Sequence, residues 1–249
     1  MDVFEALGAE SGVVAVVGAG GKKTTLYTLA ERTRGDSAHR AVVTATVRIP
    51  IFDRHVETVV VTDDPVTALE RTDAWPVGVV PEREREDRYV GYDPAIVDDL
   101  AAADAADLVL VKADGARTRE FKAPGDDEPQ LPQRVDTVIP IASVHAVGKP
   151  LSAESVHRPE RVAAITGLEL GDPVRPEDVS RVLTSDRGGL NGVPDGATVV
   201  PLLNKVDDPD RRAIAEEIAT GVLERAPRVP RVVLARMIAD EPVVDVLER

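Results

Sequence analysis

Short, uninterrupted aliphatic runs recur along this chain between stretches of helical character, and that rhythm constrains the fold more than any other feature. Residues 13–17, 41–46, 56–61, 76–81, 108–111, 137–142, 197–203 and 231–234 read as extended segments. Helical segments are expected at 24–32, 66–71, 94–105, 159–166, 176–183 and 209–224, with a closing helix at 242–247. Strands that do not alternate with polar residues are buried on both faces, which a parallel sheet between two helical layers provides. The expected fold class is therefore α/β, three-layered, with a mostly parallel sheet. Pro159, Pro176 and Pro209 stand at first turns, where a missing N–H costs nothing. No internal repeat or linker interrupts the pattern. One domain over 1–249 is expected, with a small helical insert at about 145–190.

Charge and composition narrow the function classes. The 249 residues hold 44 Asp and Glu against 30 Lys and Arg, a net charge of −14. Such a surface repels polyphosphate backbones, so nucleic acid is not an expected partner. The same acidity, with only six lysines, points to adaptation to high salt, where screening relieves self-repulsion. No apolar run reaches the ~18 residues of a membrane-spanning helix. The acidic N-terminus lacks the basic-then-apolar layout of a secretory signal. A cytoplasmic protein without a membrane partner is expected. The absence of cysteine removes disulfides, thiolate metal sites and cysteine nucleophiles together.

Three segments carry chemistry. The first strand runs into Val16-Val17-Gly18-Ala19-Gly20-Gly21-Lys22-Lys23-Thr24-Thr25. Ligands of open parallel sheets sit outside the carboxyl ends of strands, where this loop lies. Glycine amides, a helix N-terminus and a lysine suit a phosphate. Against the G-x-x-x-x-G-K-[ST] pattern, Gly21-Lys22 fits, but Val16 replaces the first Gly and Lys23 the Ser or Thr. Thr24 and Thr25 then compete as the magnesium ligand. A dinucleotide loop fails because Lys23 occupies its third Gly position.

In the second segment, residues 108–111 lead to Asp114-Gly115, an acid where phosphate-loop enzymes hold magnesium; an ordinary Asp-Gly turn is the competing reading. In the third, Asn204-Lys205-Val206-Asp207 follows an aliphatic run. Asp207 can accept from guanine N1–H and N2–H, Lys205 can lay its stem along a base, and Asn204 can tether neighbouring loops. An Asx turn capping the Pro209 helix through Asp207 or Asp208 fits the same residues. Between these segments, Arg117, Arg119 and Lys122 are candidates to clamp phosphates or an anionic substrate, and Glu128 to bind metal or act as a base. A solvated, self-neutralising loop is their alternative. His39, His55, His145 and His157 show no metal spacing.

Read in order, Val17–Lys22, Ala113-Asp114-Gly115, Phe121-Lys122-Ala123-Pro124 with Glu128-Pro129, Gly148-Lys149-Pro150, His157-Arg158-Pro159 and Leu203–Asp207 resemble the selenium-dependent hydroxylase accessory proteins, the YqeC-like family. The resemblance spans residues 13–207 and implies a P-loop NTPase-like fold. It also implies a role in maturing molybdenum hydroxylases that carry a labile selenium, with Lys122 and Glu128 lining the site. Two departures stand out: Lys23 where the family has Thr or Ser, and Lys112 where it has Glu. Either Lys112 points into the helical cover, or metal binding and turnover are altered.

The expected function is binding, with hydrolysis, of GTP or ATP with Mg2+, in the service of an apo molybdenum hydroxylase. Lys22, Asp114 and Glu128 are the expected catalytic residues. Gly18, Ala19, Gly20, Gly21, Lys22, Lys23, Thr24, Thr25, Asn204, Lys205 and Asp207 would bind nucleotide. Arg117, Arg119 and Lys122 would bind substrate, and Thr24 and Asp114 the metal. The alternatives are a small-molecule kinase or nucleotidyl transferase, and a non-catalytic switch or chaperone, which Lys23 and Lys112 favour.

Overall fold

The computed structural model describes residues 1–35 and 39–249. Helix α1 (Val3–Leu7) precedes strand β1 (Gly12–Gly18), which turns through the glycines into α2 (Lys22–Arg32). The next segment holds β2 (Ala41–Ala45), β3 (Ile49–Pro50), β4 (Thr58–Val61), α3 (Pro65–Leu69), β5 (Val77–Val80), β6 (Arg88–Tyr89), α4 (Pro94–Ala102) and β7 (Leu108–Lys112). After these come β8 (Phe121–Lys122), β9 (Thr137–Ser143), β10 (Val156–His157), α5 (Pro159–Thr166) and α6 (Pro176–Leu183). The chain closes with β11 (Thr198–Val199), β12 (Leu202–Asn204), α7 (Pro209–Arg225), β13 (Arg231–Ala235) and β14 (Val243–Glu248).

The main sheet runs β14-β13-β12-β9-β1-β7-β2-β5-β4, with β11 also on β9. Its pairs are parallel except β13–β14. Alternate residues of the central strands feed opposite cores, as buried strands require. Val14, Val16, Leu108 and Leu110 pack toward α1 and α2, against Leu7, Leu26 and Leu29. Val13, Ala15, Val17, Val109 and Val111 face the other way, against Val97 and Leu100 of α4. Each such valine or leucine contributes about 1.5–3 kcal/mol by leaving water. The α/β, three-layered, mostly parallel expectation holds.

Residues 145–190 contribute β10, α5 and α6; α5 packs on α6, and α6 on α7 and β9. Four expectations are corrected. The closing helix at 242–247 is instead β14, pairing antiparallel with β13, because Val243, Val244, Val246 and Leu247 complete an otherwise open sheet edge. The strand at 197–203 is two strands, broken at Pro201, which has no N–H for the ladder. Helix 94–105 ends at Ala102, and Asp104 is left-handed at φ 51°. Helix α2 starts at Lys22 rather than 24, because Gly21 already accepts from Thr25 N at 2.9 Å. The short pairs β3–β6 and β8–β10 and the helix α1 were not expected.

Register places the chemistry on one edge. Val16 pairs with Lys112, Gly18 with Ile141, and Asn204 with both Ser143 and Ala235. The carboxyl ends of β1, β7, β9, β12 and β13 therefore share one rim. No helix among the described residues is long and apolar enough to cross a membrane.

Candidate functional site

The glycine loop is shaped by its neighbours. Gly18, Gly20 and Gly21 have φ of +89°, +88° and +156°, values that side-chain-bearing residues rarely adopt. A Cβ at Gly20 would lie 2.5 Å from Ser143 Cβ and 2.8 Å from Glu120 O, and one at Gly21 would strike Asn204 Nδ2. Asn204 locks this contact. Its Nδ2 donates to Gly20 O at 2.9 Å, and its Oδ1 accepts from Met237 N at 3.1 Å. The tethering role expected of Asn204 is thus built, with both ends of its amide used inside the protein.

The loop's amides divide into two sets. Gly18 N donates to Asp114 Oδ2 at 2.8 Å and Ala19 N to Ile141 O at 2.8 Å. Those two residues, expected to cradle phosphate, face the protein. Gly20, Gly21, Lys22, Lys23 and Thr24 instead line a cavity of about 560 Å³. Thr25 is buried with its hydroxyl on Gly21 O at 3.2 Å, so of the two threonines Thr24 alone reaches the wall.

Behind the loop lies a chain of buried charges. Lys22 Nζ donates to Gly18 O and stands 2.8 Å from Asp114 Oδ1. That contact is an ion pair without hydrogen-bond alignment, so the buried Oδ1 has no donor directed at it. Lys122 Nζ lies 2.9 Å from Asp114 Oδ2 and donates to Glu128 Oε2 at 2.6 Å. Arg158 Nη1 reaches the same Glu128 oxygen at 2.7 Å. Burial raises the Glu128 carboxyl, but Lys122 and Arg158 overcome it and hold the group at about 2. Burial lowers Lys22 despite Asp114 beside it. Lys122 and Glu128 therefore belong to this inner network rather than to the cavity wall, and Asp114 lies between the two lysines.

Lys112 does not point into the helical cover. It lines the cavity, is 6% exposed, and its Nζ donates to Arg48 O at 2.8 Å. Burial, then repulsion from Lys22, lowers its ammonium to about 7. The wall also carries Lys22, Lys23 and Lys205, together with the guanidinium groups of Arg48, Arg88, Arg117, Arg119 and Arg236. Among these nine basic groups Lys22, Lys205 and Arg48 pair with Asp114, Glu120 and Glu84 behind or beside the wall, and the wall's described residues offer one carboxylate, Asp207. Arg117 and Thr118 are both left-handed, at φ 46° and 60°, a strained turn that shapes the wall beside Gly115.

At the opposite end stand Lys205 and Asp207. Lys205, itself left-handed at φ 65°, holds both Glu120 oxygens at 2.7 Å. Asp207 Oδ2 is 2.9 Å from His145 Nε2 and Oδ1 is 3.4 Å from Arg236 Nε, yet the side chain stays 35% exposed. Asp208, not Asp207, caps α7 by accepting from Arg211 N at 2.8 Å. Asp207 is thereby left to the cavity. Pro50, Met237 and Ile238 add apolar surface to the cavity wall, and Ile238 is largely exposed.

A magnesium ion at Asp114 would need oxygens that already face Lys22 and Lys122, and would enter beside Lys112. No group of three His, Asp or Glu side chains that could hold a metal exists among the described residues. Thr24 offers a hydroxyl on the wall, but this donor set fits an anion and does not fit a divalent ion held by Asp114. Lys112, Arg48, Arg88, Arg158 and Arg236 joined the site from outside the sequence-expected set. Arg158 stood within the His157-Arg158-Pro159 segment, and Arg236 directly follows a strand. Arg48 and Arg88 carried no local signal.

The family model described as YqeC protein matches residues 14–160 of this chain. The uncharacterized protein YqeC of Escherichia coli (strain K12) is 30% identical over 195 residues, 78% of this chain and 75% of that protein. The crystal structure of hydrogenase maturation factor HypB from Archaeoglobus fulgidus aligns over 95% of this chain and 87% of its own. Its TM-score is 0.43 at 12% identity, too distant a likeness to bear on function.

Proposed function

The chain belongs to the YqeC family, and from that premise we propose that it binds a nucleoside triphosphate and serves as an accessory factor to a molybdenum hydroxylase. One observation carries the nucleotide reading. A cavity of about 560 Å³ at the carboxyl rim of a parallel sheet gathers nine basic side chains in a protein of net charge −14. Basic groups concentrated between a glycine loop and a helix N-terminus are the environment a polyphosphate needs. The triphosphate would lie along Gly20–Thr24 with Lys22, and Arg117 and Arg119 would close on it from the facing loop. The base would rest against Met237 and Ile238, with Asp207 reading its edge. A guanine N1–H and N2–H would replace His145 and Arg236 on that carboxylate, which adenine cannot do.

Hydrolysis would depend on positioning and charge neutralisation, since phosphoryl transfer asks little covalent help of the protein. A second reading, a switch that binds nucleotide without turning it over, is favoured by a specific feature. Asp114 and Glu128 are both consumed by ion pairs, which leaves neither carboxylate to orient a water. Thermal melting with GTP and with ATP tests the common core, because a ligand of the native state raises its stability by mass action. No shift with either at about millimolar concentration would remove the reading. Turnover at saturation then separates NTPase from switch, and nucleotide-dependent capture of an apo molybdenum hydroxylase tests the accessory role.

A further inference from the structure

The charge inventory around Asp114 has a consequence for the form of the ligand. Lys22, Lys112, Lys122 and Asp114 are all buried, three ammonium groups to one carboxylate. Asp114 is shared by Lys22 and Lys122, and Glu128 is shared by Lys122 and Arg158. Lys112 is left over. Its one hydrogen bond given by the structure goes to a neutral carbonyl, that of Arg48, and no carboxylate pairs with it among the described residues. A buried ammonium has three donors and a large desolvation cost, relieved either by losing its proton or by an anion beside it, and only the anion keeps the charge.

We propose that the cavity takes a metal-free nucleoside triphosphate, with the Lys112 ammonium occupying the place a divalent cation would fill between phosphate oxygens. The proposal rests on the nucleotide reading above and deepens it. A metal-free triphosphate carries the greater negative charge, and the wall presents cations to match it: Lys22 and Lys112 from the rim, Arg117 and Arg119 from the facing loop. A divalent ion brought to the same place would meet Lys112 and Lys22, with Asp114 already neutralised. The hydrogen bond to Arg48 O holds the Lys112 amine at the wall, and a triphosphate arriving beside it favours its protonated form.

Titration calorimetry of the full chain with GTP and with ATP, in EDTA and in excess Mg2+ at matched ionic strength, tests this. For the wild-type protein the expected affinity in EDTA is equal to, or higher than, that in Mg2+. Lys112→Met should weaken metal-free binding about tenfold, the loss of one charge-assisted contact, and weaken magnesium-nucleotide binding less. Lys112→Glu should bind only in the presence of Mg2+. Wild-type binding that collapses about tenfold in EDTA overturns the proposal and leaves the nucleotide reading intact. Unchanged metal-free affinity in Lys112→Met overturns it too. Absence of binding in both buffers removes the nucleotide reading itself. Should either variant fail to fold, the wild-type comparison decides alone.

Discussion

Replacing Asn204 with alanine should both destabilise the protein and loosen the glycine loop. The side chain is almost fully buried and joins two loops about 180 residues and about 30 residues away in sequence through bonds of 2.9 and 3.1 Å. The partner at the far end, Met237 N, lies in a residue that is 1% exposed. Truncation would therefore strand the buried Met237 N–H and free the Gly20 carbonyl, which borders the cavity. The buried orphan costs about 1–3 kcal/mol and the lost bond to Gly20 about 0.5–1.5 kcal/mol, so truncation should cost about 1.5–4 kcal/mol after partial relaxation. Urea unfolding read by circular dichroism should show the midpoint falling with an unchanged slope. Asn204→Asp keeps the acceptor for Met237 N but turns a carboxylate toward Gly20 O, and should recover no more than one of the two bonds. A loss below about 0.5 kcal/mol in Asn204→Ala, the level of an ordinary surface substitution, would refute the tether.

Glu128 should govern the acid limb of stability. Its carboxyl is held at about 2 against an ordinary 4.5, so the stabilisation is full above pH 4.5 and is lost as pH falls through 2. Glu128→Gln should flatten that limb in pH-dependent melts and cost about 2–3 kcal/mol at neutral pH. His157 acts in a higher window. Burial, then Arg158, lowers it from 6.5 to about 4, so between those values the unfolded chain binds the proton the folded one refuses, and stability is lost as pH drops from 6.5 to about 4. His157→Gln should remove that slope, and an unchanged profile would contradict the assignment. Gly20→Ala forces a Cβ against Ser143 at φ +88° and should cost about 2 kcal/mol or more, read by the same urea assay. Finally, the melting temperature should climb as KCl is raised to about molar, since screening relieves the acidic exterior; a flat curve would end the high-salt reading.

Much of the rim was legible along the chain. A glycine turn after a valine strand, an acid after Leu108–Lys112 and Asn204 after Leu202-Leu203 all sit at strand ends, and parallel register brings strand ends together. The division of labour within each motif was not legible. Nothing local distinguishes Gly18 and Ala19, whose amides face Asp114 and Ile141, from Gly20 and Gly21, which face the cavity. Lys122 and Glu128 were expected at the site and lie just behind its wall. Lys112 read as either inert or disruptive, and it is a wall residue.

Hydrophobic periodicity sufficed for the layered parallel sheet, because a strand buried on both faces needs only its own residues to announce it. The candidate motifs of the rim were equally readable, since glycines, lysines and an Asn-Lys-x-Asp run are covalent neighbours. Tertiary structure alone decided which charges pair. Lys22, Asp114, Lys122, Glu128 and Arg158 meet across separations of up to about 100 residues, and a buried ion is governed by what surrounds it in space. It also decided the fate of residues 243–248, whose valines suit a strand once β13 offers an open edge. Edges, partners and the sign of a cavity are properties of packing, and no window of sequence contains them.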